Sequence, residues 1–204
     1  MAGTEIKIVT VGDGAIGKTL LLMSFAYGKV VDTNYIPTVF DNYNSNVNYK
    51  DELYICGLWD TAGQEEYDRI RPLSYPDTDV FLCAFSVVNP DSFENISSKW
   101  VPEVRHHCPD APIVLVGTKI DLRSDQDVIQ QLQKKELAPI TKEKGIKLAE
   151  ELQCADYREC SAMTQEGLKE VFYAAIDAVM KIRRAKEKED EKKGTGKDKK
   201  CLMM

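Results

Sequence analysis

The sequence contains no uninterrupted run of about 18 apolar residues, the length that a membrane-spanning helix requires. Residues 1–5 lack the charged and apolar regions of a secretory signal peptide. The six cysteines form no C-x-x-C pair and no zinc-ligand spacing, and four of them, Cys56, Cys83, Cys154 and Cys160, lie in or beside apolar stretches. We therefore expect a protein that stays inside the cell and keeps these cysteines reduced.

The net charge of −6 conceals an uneven distribution along the 204 residues. Residues 181–200 contain ten Lys or Arg and five Asp or Glu, a net of +5, so the remaining sequence carries −11. An acidic surface repels the phosphate backbone of nucleic acid, whereas a basic segment is attracted to anionic lipids. We expect no nucleic-acid partner for the folded part and a membrane as a candidate partner for the carboxyl-terminal tail.

One stretch, residues 12–19, fits the pattern G-x-x-x-x-G-K-[ST] at every fixed position. An apolar, β-branched segment at 6–11 precedes it and an apolar segment with helical character at 20–26 follows it. A glycine loop between a strand and a helix favours phosphate binding by backbone N–H groups. The residues assigned to nucleotide binding in this phosphate loop are Gly12, Asp13, Gly14, Ala15, Ile16, Gly17, Lys18, Thr19 and Leu20.

Two side chains of the phosphate loop carry specific chemistry. The pattern places Lys18 against the β- and γ-phosphates as a point charge, and it places the Thr19 hydroxyl on a magnesium ion. A second apolar strand, predicted at 53–59, ends on Asp60. Because parallel strands bring their carboxyl ends to the same crevice, Asp60 is a candidate for the same magnesium site.

Strand-like and helix-like segments alternate along the rest of the sequence. Buried strands are predicted at 80–88 and 113–117, a hairpin turn at Lys50 and Asp51, and an amphipathic helix from Thr164 onward. Most connections are too long for hairpins, which predicts an α/β fold, a three-layer sandwich with a mainly parallel six-stranded sheet. We expect this domain to span residues 1–183 and the polar segment 184–204 to be disordered.

Taken together, the motifs resemble those of the Ras superfamily of small GTPases, whose small G domain is a phosphate-loop NTPase fold. They are the phosphate loop, Tyr-Ile-Pro-Thr at 35–38, Asp-Thr-Ala-Gly-Gln at 60–64, Thr-Lys-Ile-Asp at 118–121, Cys-Ser-Ala at 160–162 and a cysteine at 201. Thr-Val-Phe-Asp-Asn-Tyr at 38–43 and an additional predicted helix at 124–135 resemble the Rho family, and Thr118 with Trp59 is most similar to its Rac type. The resemblance implies a GTP/GDP switch that uses Mg²⁺, hydrolyses GTP and acts, as is expected of that family, in actin cytoskeleton signalling.

The resemblance also implies roles for single residues. Thr38 would complete the magnesium site and sense the γ-phosphate, Gly63 would donate its N–H to that phosphate, and Gln64 would orient the attacking water. Asp121 would accept hydrogen bonds from the guanine N1–H and exocyclic amine, which adenine cannot match. The other residues expected at the nucleotide are Val31, Tyr35, Thr118, Lys119, Ser161 and Ala162.

Partner proteins and a membrane are implied in the same way. The resemblance implies a monomer that binds effectors, exchange factors, GTPase-activating proteins and a dissociation inhibitor. Cys201 opens a C-a-a-X signal that ends in Met, which favours a farnesyl group, and the nearby lysines supply a second signal. We expect the protein in the cytoplasm and, lipid-anchored, at the cytoplasmic face of the plasma membrane. The residues assigned to the effector surface are Thr38, Val39, Phe40, Asp41, Tyr43, Tyr67, Ile70 and Leu73.

The sequence leaves two questions open. Where the family places a phenylalanine against the guanine, this chain has Val30 and Val31, in a loop one residue longer than in typical Rac-type proteins. Fast spontaneous GDP release is expected unless Tyr27, or a neighbour brought in by the longer loop, covers the base instead. The second question is turnover. A scaffold that binds nucleotide without hydrolysing it is an alternative, and an ATP-directed kinase or ATPase is disfavoured by Asp121.

Overall fold

The computed structural model describes residues 3–31, 38 and 40–198, with side chains described up to residue 189. It contains a six-stranded sheet whose strands are β1 (Thr4–Val11), β2 (Phe40–Tyr49), β3 (Glu52–Thr61), β4 (Val80–Ser86), β5 (Ile113–Thr118) and β6 (Asp156–Glu159). Their order across the sheet is β2-β3-β1-β4-β5-β6. The β2 and β3 strands are antiparallel, and the other neighbouring pairs are parallel.

The described residues also form six helices: α1 (Lys18–Tyr27), α2 (Pro90–Asn95), α3 (Val101–His107), α4 (Gln126–Gln133), α5 (Lys142–Glu151) and α6 (Leu168–Asp198). Three of them begin where a polar side chain accepts a hydrogen bond from a first-turn N–H, as helix starts require. The capping residues are Asn89, Asp125 and Thr141. The segment after β3 forms two short 3₁₀ turns, Glu65–Tyr67 and Arg71–Ser74.

The sheet separates two hydrophobic cores. Strand β4 shows the division, because Leu82 faces the core that α1 and α6 cover, whereas Phe81 faces the core that α3 and α5 cover. Both side chains are fully buried. A strand buried on both faces reads as a continuous apolar run, as the sequence does here. The three-layer α/β sandwich with a mainly parallel six-stranded sheet is therefore confirmed.

The predicted hairpin turn is also confirmed by backbone geometry. Lys50 and Asp51 have φ values of 51° and 62° in the turn between β2 and β3. Two consecutive positive φ values suit a two-residue hairpin whose twist matches that of its strands. Before Pro102, the helix is interrupted by a π turn at Ile96–Trp100, which joins α2 to α3.

The described residues trace α6 without a break to Asp198, beyond residue 184, where the change to a disordered tail was predicted. Its packed part ends near Val179, and residues 184–189 are exposed. A helix that is already nucleated on the sheet needs little further stabilisation to continue through Lys and Glu, which are both good helix formers. Of the helices that the structure describes, none combines the length and the apolarity needed to cross a membrane.

Candidate functional site

The phosphate loop joins β1 to α1 at the carboxyl edge of the sheet. Gly12 has a φ of 145°, and a Cβ atom there would collide with the carbonyl oxygen of Ala84. Only glycine fits this position without moving the β4 backbone. The loop therefore lies directly on the sheet, and its second fixed glycine, Gly17, precedes the first turn of α1, whose N–H groups favour an anion.

The Lys18 ammonium lies inside the loop. Its Nζ donates to the carbonyl oxygens of Gly12 and Asp13, each at 2.7 Å, and the residue is 7% exposed. An ammonium has three donors, so one N–H beyond these two is available to a phosphate oxygen. Burial lowers the pKa of Lys18 to about 8, although the Asp60 and Asp13 carboxylates act in the opposite direction.

We expect nucleotide binding to return a proton to Lys18. At pH 8.5 a group with a pKa of about 8 is roughly three-quarters neutral, and bound phosphates would raise its pKa and recharge it. Binding of GDP to nucleotide-free protein at pH 8.5 should then take up about 0.7 proton, and at pH 7 far less from this group. Calorimetric titrations in buffers of different protonation enthalpy measure this uptake.

Lys18→Arg is the control for that measurement, because a guanidinium stays charged at both pH values. The variant should bind GDP without the additional uptake at pH 8.5, whatever its affinity. Equal uptake by the wild type and the arginine variant would contradict a lowered pKa at Lys18.

Three oxygen atoms from separate segments converge beside Lys18. The Thr19 hydroxyl donates to Asp60 Oδ2 at 2.5 Å and lies 2.6 Å from the Thr38 hydroxyl oxygen. Asp60 is fully buried, and its second carboxylate oxygen, Oδ1, has no hydrogen-bond partner among the described residues. Burial raises the pKa of Asp60, while the bond from Thr19 and the charge of Lys18 oppose that shift.

This oxygen set fits Mg²⁺. A buried carboxylate with an unpaired oxygen needs a compensating cation, and two hydroxyl oxygens lie within hydrogen-bond distance of it or of each other. Among the described residues no group of three or more His, Cys, Asp or Glu side chains could hold a metal. Mg²⁺ does not need such a cage, because it uses one or two carboxylates, water and substrate phosphates. The residues that would hold it are Thr19, Thr38 and Asp60.

The segment that follows Asp60 lies against the phosphate loop. A Cβ atom on Gly63 would collide with backbone atoms of Gly12, Asp13 and Gly14. The side chain of Gln64 comes within 3.8 Å of the position that a Cβ on Gly14 would occupy. Its amide oxygen is buried without a hydrogen-bond partner among the described residues. Gln64 therefore packs beside the phosphate loop with an amide group, which can both accept a hydrogen bond from water and donate one to it.

A cavity of about 320 Å³ lies beside the phosphate loop on its α1 side. Its lining includes Asp121 and Ala162, from the loops that follow β5 and β6, whereas Ser161 is fully buried and does not line it. The predominantly apolar walls with one carboxylate suit a flat heteroaromatic base that donates hydrogen bonds. The cavity is lined by Ile16, Gly17, Leu20, Leu21, Thr118, Lys119, Asp121, Leu122, Cys160, Ala162 and Met163.

Two residues at the end of β5, Thr118 and Lys119, are hydrogen-bonded to the phosphate loop. The Thr118 hydroxyl lies 2.7 Å from the carbonyl oxygen of Ile16, and Lys119 Nζ donates to the carbonyl oxygen of Ala15 at 2.7 Å. Lys119 has a left-handed backbone, with a φ of 61°, and burial lowers its pKa. Thr118 thus joins two loops through its hydroxyl, and Lys119 forms one side of the cavity.

The segment between α1 and β2 is only partly described. Tyr35 and Val39 in this segment, and Cys201 in the tail, lie outside the described residues, so their assignments stay predictions. Val31 is half-buried, and Val30 is 40% exposed. Neither valine is among the residues that line the base cavity.

Tyr27, the candidate for covering the base in place of a phenylalanine, packs elsewhere. Its ring meets that of Tyr43, a residue of β2, edge-on, with 6.3 Å between centroids. Tyr27 is 56% exposed and is also absent from the cavity lining.

The structure reveals a support for the phosphate loop that the sequence did not indicate. Trp100 Nε1 donates to Asp13 Oδ1 at 2.6 Å, and Asn95 Nδ2 donates to Asp13 Oδ2 at 2.7 Å. Asp13, assigned to nucleotide binding, therefore directs its side chain toward the α2–α3 segment and not into the crevice. An aspartate at a variable position of the pattern was the only sequence signal, because nothing local links residues 13, 95 and 100.

A buried ion-pair cluster continues from Trp100 to the segment after β3. The Arg71 guanidinium lies 4.6 Å from the Trp100 ring, pairs with Glu103 at 2.8 and 2.9 Å, and donates to the Ala62 carbonyl at 3.0 Å. Arg71 is 3% exposed. Burial would raise the pKa of Glu103, but the hydrogen bonds and charge of Arg71 lower it on balance. The side chains of Arg71 and Trp100 thus link Ala62, the residue before Gly63, to Asp13 of the phosphate loop.

Four of the residues assigned to partners, Phe40, Tyr67, Ile70 and Leu73, line a groove of about 350 Å³ between β2 and the two 3₁₀ turns. Phe40 packs edge-on against Trp59 with 5.4 Å between ring centroids. The exposed fractions of Phe40, Ile70 and Leu73 are 47%, 49% and 78%. Tyr67 also lines the groove, whereas Asp41 and Tyr43 lie further along β2 and bond to each other at 2.9 Å. An exposed apolar surface of this kind is typical of a protein-binding site.

Comparison with protein-family models agrees with this geometry. The model of the Ras family matches residues 7–181, which include the phosphate loop, the oxygen cluster and the base cavity. Ras-family proteins bind guanine nucleotides, typically with Mg²⁺, and act as GTPase switches with regulator and effector partners. This match and the strand–loop–helix site described above lead to one conclusion: the chain belongs to the Ras family of small GTPases.

Proposed function

We propose that this chain is a Rho-family GTPase of the Rac type. It would bind GTP or GDP with Mg²⁺, hydrolyse GTP and recruit effectors in the GTP-bound state, with actin cytoskeleton signalling as the expected process. Two features support the Rho family. They are the helix α4, inserted between β5 and α5, and the sequence Thr-Val-Phe-Asp-Asn-Tyr at 38–43.

The observation that carries hydrolysis is the position of Gln64. Its side chain packs beside Gly14, and its buried amide oxygen has no protein partner among the described residues. A scaffold that only binds nucleotide has no need of a glutamine side chain packed against the phosphate loop directly after Gly63. Gln64 is therefore assigned to orienting the attacking water, with Lys18, Thr38 and Gly63 contacting the γ-phosphate.

Hydrolysis should be slow without a partner. Arg71, which shares a segment with Gln64, is bound to Glu103, Asp68 and the Ala62 carbonyl, so its guanidinium is not available to the phosphates. An arginine supplied by an activating protein accelerates such reactions by roughly 10³ to 10⁵.

A single-turnover GTP assay tests the proposal against the scaffold alternative. Hydrolysis at a slow basal rate, accelerated by a Rho-family activating domain but not by a Ras-type one, supports the Rho assignment. Stable bound GTP under both conditions supports the scaffold. A pulldown that compares GTP-loaded with GDP-loaded protein then tests whether the groove at Phe40, Ile70 and Leu73 selects effectors by nucleotide state.

We expect the membrane location to depend on Cys201. A single prenyl chain anchors weakly, and basic residues near an anionic leaflet add about 1 kcal/mol each, so both signals are needed. Cys201→Ser should move the protein from the membrane to the soluble fraction of lysed cells without changing its nucleotide affinity. Cys154→Ser, in the folded domain, serves as the control. Membrane fractionation of Cys201→Ser like that of the wild type would contradict a lipid anchor.

We predict unusually fast spontaneous release of GDP. Stacking of an aromatic side chain on a base contributes about 1 to 3 kcal/mol, which corresponds to roughly 5- to 150-fold in affinity. Most such differences appear in the dissociation rate. Tyr27 contacts Tyr43, and neither Val30 nor Val31 lines the base cavity, so no described aromatic side chain of this segment lines that cavity. Loading with GTP would then need little help from an exchange factor.

Release of a fluorescent GDP analogue measures this prediction. Val30→Phe or Val31→Phe should slow release several-fold, since one of them would restore stacking. Val30→Leu and Val31→Leu are matched controls that add volume without an aromatic ring. Release from both phenylalanine variants at the wild-type rate would contradict a role for this position, and slow release from the wild type would contradict fast exchange.

A further inference from the structure

The two loops that line the base cavity are joined behind it by an ion pair. Arg123 follows the Thr118–Asp121 loop, and Glu159 is the last residue of β6, directly before the Cys160–Ala162 loop. The guanidinium donates to both carboxylate oxygens of Glu159, at 3.0 and 2.5 Å. The side chains are 29% and 10% exposed. Two parallel bonds fix the relative orientation of the groups as well as their distance.

Further contacts hold each member of the pair in place. Arg123 Nε donates to the Ile140 carbonyl at 3.1 Å, and the Tyr157 hydroxyl donates to Glu159 Oε1 at 2.6 Å. The Tyr157 ring occupies the space that a side chain at Gly145 would need. The hydrogen bond and charge of Glu159 raise the pKa of Arg123. The pair is thus a preorganised link anchored to β6, to α5 and to the segment before it.

The backbone between the two loops is held less tightly. Cys160 N–H donates to the Gly117 carbonyl at 2.8 Å, but the next bond, from Ile120 N–H to the Cys160 carbonyl, is long at 3.4 Å. Asp121 lies beyond this point, in a short 3₁₀ turn (Ile120–Leu122) that Arg123 closes. The position of the Asp121 carboxylate relative to Ala162 therefore depends on a side-chain link beyond the backbone ladder.

We propose that Arg123 and Glu159 are positioning residues for guanine recognition, which hold the Asp121 loop in register with the Cys160–Ala162 loop. The proposal rests on the assignment of Asp121 to the guanine N1–H and exocyclic amine. Neither member of the pair touches the base, since neither lines the cavity. Loosening the pair should let the Asp121 carboxylate move away from the base edge and weaken both of its bonds to guanine.

Inosine diphosphate separates this role from a purely structural one. Hypoxanthine keeps the N1–H of guanine but lacks the exocyclic amine, so Asp121 makes one bond to it where it makes two to guanine. A displaced Asp121 would therefore lower the affinity for GDP more than the affinity for inosine diphosphate. A general loss of stability would affect both nucleotides by the same factor.

The experiment compares release of the two nucleotides from full-length variants. Glu159→Gln keeps the shape of the side chain. Arg123→Lys keeps the charge but cannot form the two parallel hydrogen bonds. Each should accelerate GDP release at least about fivefold and lower the ratio of GDP to inosine diphosphate affinity. The double variant should lower that ratio no further than the single variants, because the pair acts as one unit. Arg158→Lys is the matched control. Arg158 lies on the same strand and pairs with Asp156 at 2.7 Å, with 46% of its side chain exposed.

A lowered affinity ratio in both pair variants, with the Arg158→Lys ratio unchanged, supports the proposal. It is overturned if both nucleotides are released faster by one common factor, if only the unfolding temperature falls, or if the double variant shows the sum of two independent effects. Failure of the Asp121 assignment looks different, because the wild type itself would then bind GDP and inosine diphosphate equally. In that case the proposed role of Arg123 and Glu159 is also wrong.

Discussion

Gln64→Leu is expected to abolish stimulated hydrolysis of GTP and to leave nucleotide binding intact. Leucine occupies nearly the same volume beside Gly14, so the phosphate loop keeps its packing, but it removes the amide that would align the attacking water. Loss of one aligned polar group at a reacting centre lowers the rate by roughly 10² to 10³. Single-turnover hydrolysis with and without an activating domain measures the rate, and GDP release measures the binding.

The matched control is Gln131→Leu, which makes the same change on the exposed face of α4. It should hydrolyse GTP at the wild-type rate. If Gln64→Leu retained stimulated turnover within about threefold of the wild type, the catalytic role of Gln64 would be wrong. Loss of nucleotide binding in the same variant would instead point to a structural role against the phosphate loop.

Asp121→Asn is expected to weaken GDP binding at least tenfold and to shift the preference toward xanthine nucleotides. The carboxylate offers two acceptors to the donors of guanine, whereas asparagine presents one acceptor and one donor group. Xanthine carries a carbonyl where guanine carries the amine, so the asparagine amide matches it. Sites built around such hydrogen bonds discriminate strongly, because a mismatched polar group stays buried without a partner.

Competition of GDP and xanthosine diphosphate for the wild type and the variant measures this shift. Asp127→Asn, in the exposed first turn of α4, removes a similar charge away from the cavity and should leave both affinities unchanged. A GDP affinity that falls less than tenfold in Asp121→Asn would contradict the assignment of Asp121 to the base. A lower affinity for GDP without a higher affinity for xanthosine diphosphate would contradict the hydrogen-bond pattern.

The sequence alone determined the features that depend on neighbours along the chain. The phosphate loop is recognisable because its glycines, Lys18 and Thr19 must follow one another to wrap a phosphate and begin a helix. The hairpin at Lys50 and Asp51 and the doubly buried β4 are also local patterns, and both are confirmed. Asp60 was found by one further rule, since parallel strands end at a common edge.

The length of α6 depends on more than local composition. Composition predicts disorder after residue 183, because Lys, Glu and Asp cannot build a core. The helix nevertheless continues to Asp198. Propensity alone is too weak to start a helix in such a sequence, but packing of the preceding turns on the sheet supplies the nucleus, and composition contains no record of that packing.

Only the tertiary structure decided which distant side chains support the site. Asp13 meets Trp100 across 87 positions of sequence, and Arg123 meets Glu159 across 36. No periodicity links such residues, because each pairing depends on which strands lie side by side in the sheet and on how the α2–α3 segment packs over it. The groups that perform the chemistry are therefore visible in the sequence as motifs, whereas those that hold them in place appear only once the chain has folded.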